Sequence, residues 1–440
     1  MNKLIGNILI GIAVGMTLSC NGFLDEKPEK SILVPNSVDD VRYILDNYKI
    51  LNENPLLCFI LADDYQTVDQ SWEGLNPWVQ RSYLWQDEIF APDERSTDYN
   101  LLHRKIFYAN VALKTLADLG NVDQEVQELK GEALFVRSMS LFYLAQLFLP
   151  HPQSSQVEST EIPVHFNPDV NAEPDWVGSK ELMERIVMDL EEASLLLSQK
   201  AAYPNRPDRL ASKGLLSRVY LYMGDFEMAY KAGKEVIGDN SSLLNYADFS
   251  AGSPYPFPLF NKETVYYGFT SSYFVTASAM TFIDPELVGL YSENDRRKEL
   301  FFRDSPSGRP LFRGSYTGVS SLFTGITLSE IYLNVAEAAI RTEMEEEGLG
   351  LLTLLATNRY KDVDKWKGEA GGNLLEVVLE ERRKELVFRC TRWGDMKRLA
   401  AQSELEFPIT RVIRNEEYKL EEMEKFTLNL PEYELELEAN

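Results

Sequence analysis

Apolar residues recur at three- and four-residue steps through most of the chain, which is the spacing of one face of an α-helix. This spacing predicts a mostly α-helical protein. The stretches that show it are residues 37–51, 96–119, 126–149, 179–199, 209–224, 226–237, 327–341 and 349–360. Gly224 ends one of these helices, and the next one carries alanines at 229 and 232. Because small residues let two helices approach closely, this pair predicts tetratricopeptide-like helix pairs, although no strict repeat period is visible.

The most regular apolar pattern lies near the end of the chain and predicts one long helix over residues 375–398. One face of this helix would carry Leu375, Leu379, Arg382, Leu386, Cys390, Trp393 and Met396. Its sides carry charges of both signs, so we expect a buried or half-buried helix whose charges form a network. An arginine-rich phosphate site is the alternative, but it needs a glycine loop or a metal cluster, and neither motif is nearby.

Residues 240–324 have a different character, because proline, glycine, serine and aromatic residues dominate there. They predict an irregular lobe that rests on the helices, with short strands at residues 265–269 and 311–323. Residues 63–85 are also irregular. Long structured loops often carry function, so we expect the ligand face on this lobe and on the loop at residues 63–80.

Aromatic side chains in these polar segments are the candidate ligand contacts, because a large ring either anchors a loop or stacks on a ligand. Trp72 is the most favoured candidate, since Ser71, Glu73 and Gly74 leave it without an apolar neighbour. The other candidates are Trp78, Tyr65, Tyr273, Phe274 and Tyr316. Core anchoring remains the favoured role for Tyr273, Phe274 and Tyr316.

Charge and motif content argue against several functions. The 440 residues include 69 acidic and 44 basic side chains, for a net charge of −25, which disfavours nucleic-acid binding. Phosphate-loop, dinucleotide and zinc motifs do not occur in the sequence, and the three histidines are scattered. We therefore expect neither a cofactor nor catalysis. A two-carboxylate glycosidase remains a minor alternative, with residues drawn from Asp63, Asp64, Asp87 and Glu88.

A cation held by Asp63 and Asp64 is a further alternative, although the sequence offers no other ligands at a known spacing. Cys58 and Cys390 are expected to be buried free thiols, and a bridge between them is the alternative.

The first twenty residues predict export. Lys3 provides a basic start, and a mainly apolar run over residues 4–18 follows it. This run is shorter than a transmembrane helix usually requires, and its length is typical of a signal peptide. Ser19 and Cys20 then resemble a lipoprotein cleavage site, at which residues 1–19 would be removed and Cys20 acylated. An ordinary signal peptide with an incidental cysteine is the alternative.

The C-terminal pattern resembles the signature of the SusD/RagB family of outer-membrane nutrient-binding lipoproteins, E-R-R-x-E-L-x-F-x-x-x-R-W-x-D-x-x-R. The matching positions are Glu381, Arg382, Arg383, Glu385, Leu386, Phe388, Arg392, Trp393, Asp395 and Arg398. The chain departs from the family at Arg389, Cys390 and Gly394, where an acid, a glycine and an aromatic residue are usual. The family's usual start of the mature chain is matched by Cys20, Phe23, Leu24, Asp25 and Pro28.

This resemblance implies a single SusD-like domain over residues 20–440, with a helical scaffold at about residues 37–240 and 327–400 and a ligand-face lobe at about 240–324. It implies a binding protein rather than an enzyme, lipid-anchored and exposed on the outer membrane. Such a protein captures oligosaccharides and passes them to a SusC-like TonB-dependent transporter. Peptide capture of the RagB type and a helical-repeat interaction scaffold without a small ligand are the alternatives.

Overall fold

The computed structural model describes residues 35–120, 122–169, 171–271, 281–306 and 308–438. Helices account for most of the regular structure in these ranges, as the apolar spacing predicts. Those of the N-terminal half are α1 Val38–Leu45, α2 Tyr48–Leu51, α3 Leu57–Ile60, α4 Asp69–Glu73, α5 Pro77–Tyr83, α6 Thr97–Leu119, α7 Gln124–Phe148, α8 Ser179–Leu196, α9 Arg209–Met223 and α10 Phe226–Asp239. Those that follow are α11 Pro285–Gly289, α12 Arg296–Phe301, α13 Leu328–Arg341, α14 Glu345–Arg359, α15 Val363–Glu369, α16 Leu374–Glu385, α17 Arg392–Ala401 and α18 Glu432–Glu438.

The longer helices form a scaffold in which sequence neighbours pack side by side. In chain order, α6, α7, α8, α9 and α10 each contact the next, and α10 then packs against α13 and α13 against α14. Ala229 and Ala232 are buried, as the predicted helix pair requires. At Gly233 a Cβ atom would lie only 2.4 Å from a methyl group of Val335, so only glycine allows α10 and α13 to approach this closely. The prediction of a mostly α scaffold of helix pairs is confirmed.

The strands of the described residues form short antiparallel pairs, and those within residues 264–323 belong to the lobe. The strands are β1 Tyr65–Thr67, β2 Glu161–Val164, β3 Asp175–Gly178, β4 Thr264–Tyr266, β5 Phe269–Thr270, β6 Thr281–Ile283, β7 Phe302–Asp304, β8 Pro310–Phe312, β9 Leu322–Phe323, β10 Ile326–Thr327, β11 Ile409–Ile413 and β12 Glu416–Leu420. Strand β1 pairs with β6, so Tyr65 lies opposite Ile283, and the segment after residue 63 is joined to the lobe. The other pairs are β2 with β3, β4 with β10, β5 with β9, β7 with β8 and β11 with β12.

Two predicted elements are interrupted in the structure. The helix predicted over residues 37–51 divides into α1 and α2 at Asp46 and Asn47. The long C-terminal helix divides into α16 and α17, because Phe388 and Cys390 have φ angles of 54° and 64°, a left-handed conformation that no α-helix contains. Phe388 instead packs its ring 5.0 Å from that of Phe312 in the lobe. Tertiary packing therefore overrides the helical periodicity at this point.

Residues 63–85 are more regular than their composition predicts, because they form β1, α4 and α5. Within this segment Trp85 is buried, and its indole N–H donates to the carbonyl oxygen of Leu61 at 2.9 Å.

Within the described residues, no helix combines the length and the apolar character that crossing a bilayer requires.

A buried charge network holds the lobe on the scaffold, and it confirms the predicted network around the C-terminal motif. Arg359 of α14 is fully buried and donates to Glu263 of the lobe at 2.8 and 3.0 Å and to Glu385 of α16 at 3.0 Å. Arg297 of α12 also bonds to Glu385, at 3.2 Å, and to Glu381 at 2.7 Å. Buried charges are tolerated only when paired in this way, so these arginines fix the lobe to α14 and α16.

A second group of charges in the network lies inside the scaffold. Arg398 of α17 bonds to Glu337 of α13 at 2.6 and 2.8 Å. Asp395 accepts hydrogen bonds from both Arg382 and Arg398 at 2.8 Å. These motif side chains are therefore structural, and none is free to meet a ligand.

Candidate functional site

An open groove on the lobe is the candidate ligand site. Its volume is about 400 Å³. It is lined by Gly252, Pro254, Tyr255, Arg303, Phe312, Arg313, Ser315, Val319, Ser320 and Leu322. These residues come from the loop before β4, from the strand pair β7–β8 and from the loop that leads into β9. The groove therefore lies within the lobe that the sequence predicts as the ligand face.

Tyr255 is the exposed aromatic residue of the groove. It stands between Pro254 and Pro256, whose fixed φ angles restrict the backbone, and its side chain is 40% exposed. Two residues further on, Phe257 is fully buried with its ring 4.9 Å from those of Tyr246 and Tyr316. The buried ring anchors the segment, and the exposed ring remains available for stacking.

Arg303 and Arg313 bring positive charge to the groove from β7 and from the residue after β8. The backbone N–H of Arg313 donates to the carbonyl oxygen of Phe301 at 2.7 Å, and its guanidinium donates to the carbonyl oxygens of Ser253 and Glu299. Burial and the neighbouring charge of Arg303 lower the pKa of Arg313. Arg303 is exposed.

The loop between β8 and β9 forms one side of the groove and carries small residues and residues with hydroxyl side chains. Ser315 donates from its hydroxyl to the carbonyl oxygen of Ser321 at 2.7 Å and accepts from the N–H of Phe323 at 3.1 Å, so the loop is held in one conformation. At Gly314 a Cβ atom would lie 2.5 Å from the ring of Phe301, which only glycine avoids. The groove thus combines a flat aromatic face, guanidinium donors and a fixed polar loop, which together suit a ligand rich in hydroxyl groups.

The predicted ligand residues Trp72 and Trp78 lie outside this groove and are half-buried against the core. The indole N–H of Trp72 donates to the carbonyl oxygen of Gln80 at 3.3 Å, and the guanidinium of Arg414 lies 5.4 Å from its ring centre. Trp78 stacks on Phe90, with 6.2 Å between ring centres. Both rings already have packing partners, and a ligand role for either stays a prediction.

Tyr65 and Tyr316 lie in the core, with no ring face open to a ligand, and are 3% and 0% exposed. The hydroxyl of Tyr316 donates to Glu263 at 2.9 Å, while the guanidinium of Arg389 lies 3.7 Å from its ring centre. For Tyr316 this is the anchoring role that the sequence favours. The remaining candidates, Tyr273 and Phe274, lie outside the described residues, as does Cys20.

Sequence reasoning did not single out Tyr255, Arg303 or Arg313. One signal for Tyr255 was present, because a tyrosine between two prolines in a polar segment cannot join a helix and is poorly suited to a central strand. No local signal marks the two arginines, which are brought together only by the pairing of β7 with β8.

Three of the four acidic residues considered for catalysis, Asp63, Asp64 and Asp87, have structural partners. Asp63 is held by Arg392 at 2.6 and 2.7 Å and by Arg383 at 3.0 Å. Burial alone would raise the pKa of Asp63, but these guanidinium charges hold it well below its usual value. Burial and the charge of Asp63 raise the pKa of Asp64 to about 6. Asp87 forms a surface ion pair with Lys425. Among the described residues, no three side chains of the types that bind metals are grouped closely enough to hold an ion.

Cys58 and Cys390 are both buried free thiols, as predicted. The Cys390 thiol lies 3.6 Å from the carbonyl oxygen of Pro55. Burial and the adjacent Cys390 raise the pKa of Cys58 well above its usual value, so this thiol stays protonated.

A larger cavity, of about 650 Å³, lies on the scaffold and includes the exposed side chains of Tyr48 and Tyr203. Its charges are largely paired with one another, because Arg42 bonds to Glu132 at 2.8 Å and Arg206 bonds to Asp46. The lobe groove is the better candidate, since neither Arg303 nor Arg313 forms an ion pair with a described residue.

Two family models match the chain. Residues 22–221 match the model described as starch-binding associating with outer membrane, and residues 315–434 match the model of the SusD family. No curated protein sequence gives a match.

Solved structures of the same fold cover nearly the whole chain. A SusD superfamily protein from Bacteroides thetaiotaomicron is 20% identical, covers 92% of this chain and 98% of its own, and gives a TM-score of 0.71. A SusD superfamily protein from Bacteroides fragilis is 19% identical, with coverages of 92% and 98% and a TM-score of 0.73. A SusD-like carbohydrate binding protein from Bacteroides fragilis is 15% identical, with coverages of 91% and 98% and a TM-score of 0.66.

The fold is therefore the SusD-like fold, a helix-pair scaffold that carries an irregular lobe. The two matching family models, over residues 22–221 and 315–434, show that this chain belongs to the SusD family.

Proposed function

We propose that this protein is a cell-surface binding protein that captures oligosaccharides in the lobe groove and passes them to a SusC-like TonB-dependent transporter. The observation that carries the proposal is Tyr255, an exposed ring held in a groove beside two guanidinium groups. The outer-membrane description of the matching family model and the carbohydrate-binding relative of the same fold support it.

Capture in this groove requires no chemistry. A pyranose ring has a flat face of C–H groups that packs on an aromatic ring, while its hydroxyls exchange hydrogen bonds with the groove. Arg303, Arg313 and Ser320 would supply donors around Tyr255. Because the groove is open, binding is expected to be moderate and rapidly reversible, which suits hand-over to a transporter.

The groove proposal predicts that Tyr255→Ala weakens oligosaccharide binding without affecting the fold. Loss of the stacking ring is expected to reduce affinity by about tenfold or more, the equivalent of about 1.4 kcal/mol. The measurement is calorimetric titration of the chain from residue 21 onward against a panel of oligosaccharides and peptides.

Tyr43→Ala is the matched control, because Tyr43 is 76% exposed on α1 and does not line the groove. It should bind like the unmodified chain. Equal affinities for Tyr255→Ala and Tyr43→Ala would contradict the groove assignment. Heat with peptides alone would favour peptide capture, and no heat across the panel would favour an interaction scaffold.

The membrane attachment is part of the proposal and rests on the sequence around Cys20. Acylation of this thiol would tether the chain, so Cys20→Ala is expected to move the protein from the membrane fraction to the soluble fraction. Asn21→Ala is the control and should stay in the membrane fraction. Retention of Cys20→Ala in the membrane to the same extent as the unmodified chain would contradict a lipid anchor at this residue.

The proposed partner has its own test, which is to purify the anchored protein from membranes after mild solubilisation. Recovery of the protein without a TonB-dependent transporter would contradict the proposed partner.

A further inference from the structure

The lobe groove has an electrostatic character opposite to that of the whole chain. The chain has 69 acidic and 44 basic residues. Among the described residues that line the groove, however, two are arginine and none is aspartate or glutamate. The chain as a whole has an excess of acids, so a groove whose described charges are all positive differs locally from the rest of the protein, and a neutral ligand does not require this difference.

Neither guanidinium of the groove is neutralised by the described residues. Arg313 donates to the carbonyl oxygens of Ser253 and Glu299, which are uncharged acceptors, and its buried Nε atom has no acceptor in the described part of the chain. Asp304 follows Arg303 directly in β7, and successive side chains of a strand point to opposite faces. The carboxylate of Glu299 lies 3.8 Å from Lys361, outside the groove.

The scaffold cavity with Tyr48 and Tyr203 shows the contrasting arrangement. There Arg42 is paired with Glu132 and Arg206 with Asp46. In the groove, burial and then the like charge of Arg303 lower the pKa of Arg313, and a bound anion would offset both effects.

We infer that the lobe groove binds oligosaccharides that carry an anionic group, with the acid between Arg303 and Arg313 and a sugar ring against Tyr255. This inference rests on the proposed function, because it names the ligand class of the same groove. A uronic-acid carboxylate and a sulfate ester share the required chemistry. The first is planar and the second tetrahedral, and the oxygens of both accept charge-assisted hydrogen bonds from guanidinium groups.

The test compares ligands that differ only in charge. Calorimetric titrations use oligogalacturonides against their fully methyl-esterified forms, and sulfated galactan oligosaccharides against the same chains after desulfation. At least one anionic form is expected to bind about tenfold tighter than its neutral form at low salt, because a charge-assisted hydrogen bond is roughly twice as strong as a neutral one. The difference should shrink as salt is raised, since the groove is open to solvent.

Arg303→Gln removes one charge from the groove and keeps a hydrogen-bond donor. Because Arg303 is exposed and has no structural partner among the described residues, this variant should fold normally. It is expected to bring the acid-to-neutral affinity ratio to within about threefold, since most of the charge-assisted gain is lost. Arg209→Gln, at an exposed arginine that begins α9, is the matched control and should leave the ratio unchanged.

The two arms of the test also separate the acid that is bound: a preference for the oligogalacturonide identifies a carboxylate, and a preference for the sulfated galactan identifies a sulfate. Equal binding of charged and neutral forms, or a preference that survives Arg303→Gln, overturns the inference. If the charged and neutral oligosaccharides bind equally but both lose affinity in Tyr255→Ala, the proposal of oligosaccharide capture stands and only the inference of an anionic ligand fails. If Tyr255→Ala also has no effect, the groove assignment itself fails.

Discussion

Replacing Arg359 with methionine is expected to destabilise the protein by about 3–5 kcal/mol, because it leaves the buried carboxylate of Glu263 without its counter-charge. The arginine is fully buried and bonds to Glu263, Glu385 and the carbonyl oxygen of Leu244. Methionine fills a similar volume, so the effect reports the lost pairing more than a cavity. Glu385 keeps Arg297 at 3.2 Å, whereas Glu263 keeps only uncharged donors, including Tyr316. The measurement is urea-induced unfolding, followed by tryptophan fluorescence.

Arg414→Met is the control for this experiment. Arg414 forms an ion pair with Glu73 at 2.7 Å, but both side chains are about half exposed or more. Exposed pairs contribute little, so this variant should lose less than about 1 kcal/mol. The double variant Arg359→Met with Glu263→Gln should recover part of the loss, since it removes the unpaired charge. Equal unfolding midpoints for Arg359→Met and Arg414→Met would contradict a structural role for the buried network.

Acidification below about pH 4 is expected to destabilise the protein steeply. In the described part of the chain, the following buried carboxyl groups have pKa values below their usual range: Asp63, Glu337, Glu381, Glu385 and Asp395. Burial alone would raise each pKa, but neighbouring guanidinium and ammonium charges outweigh it. A lowered native pKa means that the unfolded chain binds protons first. The stabilisation is therefore present above the unfolded pKa of about 4 and is lost as the pH falls further.

Asp64 and Asp98 act in the opposite direction. Burial raises the pKa of each to about 6, so the native state binds their protons more tightly and gains stability as the pH falls from about 6 to 4. Burial lowers the pKa of His103 to about 3 and that of His151 to about 4, so these two groups lose stability over the same range and offset this gain. The melting temperature should therefore be about level between pH 6 and 5 and should fall sharply below pH 4. Melting curves at intervals of half a pH unit test this. Asp64→Asn removes part of the gain, so its melting temperature should fall more than that of the unmodified chain between pH 6 and 4. A melting temperature that stays constant down to pH 3 would contradict the linkage.

The sequence predicts the scaffold well because its helices have clear apolar faces and small residues at their contacts. Ala229 and Ala232 mark a close helix pair without any knowledge of the partner. The mixed charges of the C-terminal motif likewise imply a buried network, since charges on a face that is otherwise apolar must be paired. The break between α16 and α17 is harder to foresee, because non-glycine residues hold its left-handed positions.

The family pattern itself indicates the break between α16 and α17, at the position of Cys390. The family usually has glycine where this chain has Cys390, and Cys390 has a φ angle of 64°. Glycine adopts this conformation readily, so the family preference marks the turn. Gly394 differs from the family pattern at a crowded position, because a Cβ atom there would lie 2.2 Å from the end of the Gln146 side chain, which would have to move.

The candidate site is less predictable than the scaffold, because exposure depends on how loops fold over one another. Trp72 and Tyr255 both stand in polar segments, yet Arg414 covers Trp72 from a distant hairpin, whereas Tyr255 stays open. Tyr316 lies in a glycine-rich stretch and is nevertheless fully buried. The sequence predicts the lobe as the ligand face but does not distinguish its anchoring rings from its exposed ring.

The structure of the protein with a bound oligosaccharide tests the central claim most directly. The ligand to use is the one with the highest calorimetric affinity. We predict a sugar ring packed on Tyr255 within about 4 Å, with ligand oxygens at hydrogen-bond distance from Arg303 or Arg313. A ligand seated instead beside Trp72 and Trp78, or in the scaffold cavity beside Tyr48 and Tyr203, would contradict the assignment of the lobe groove.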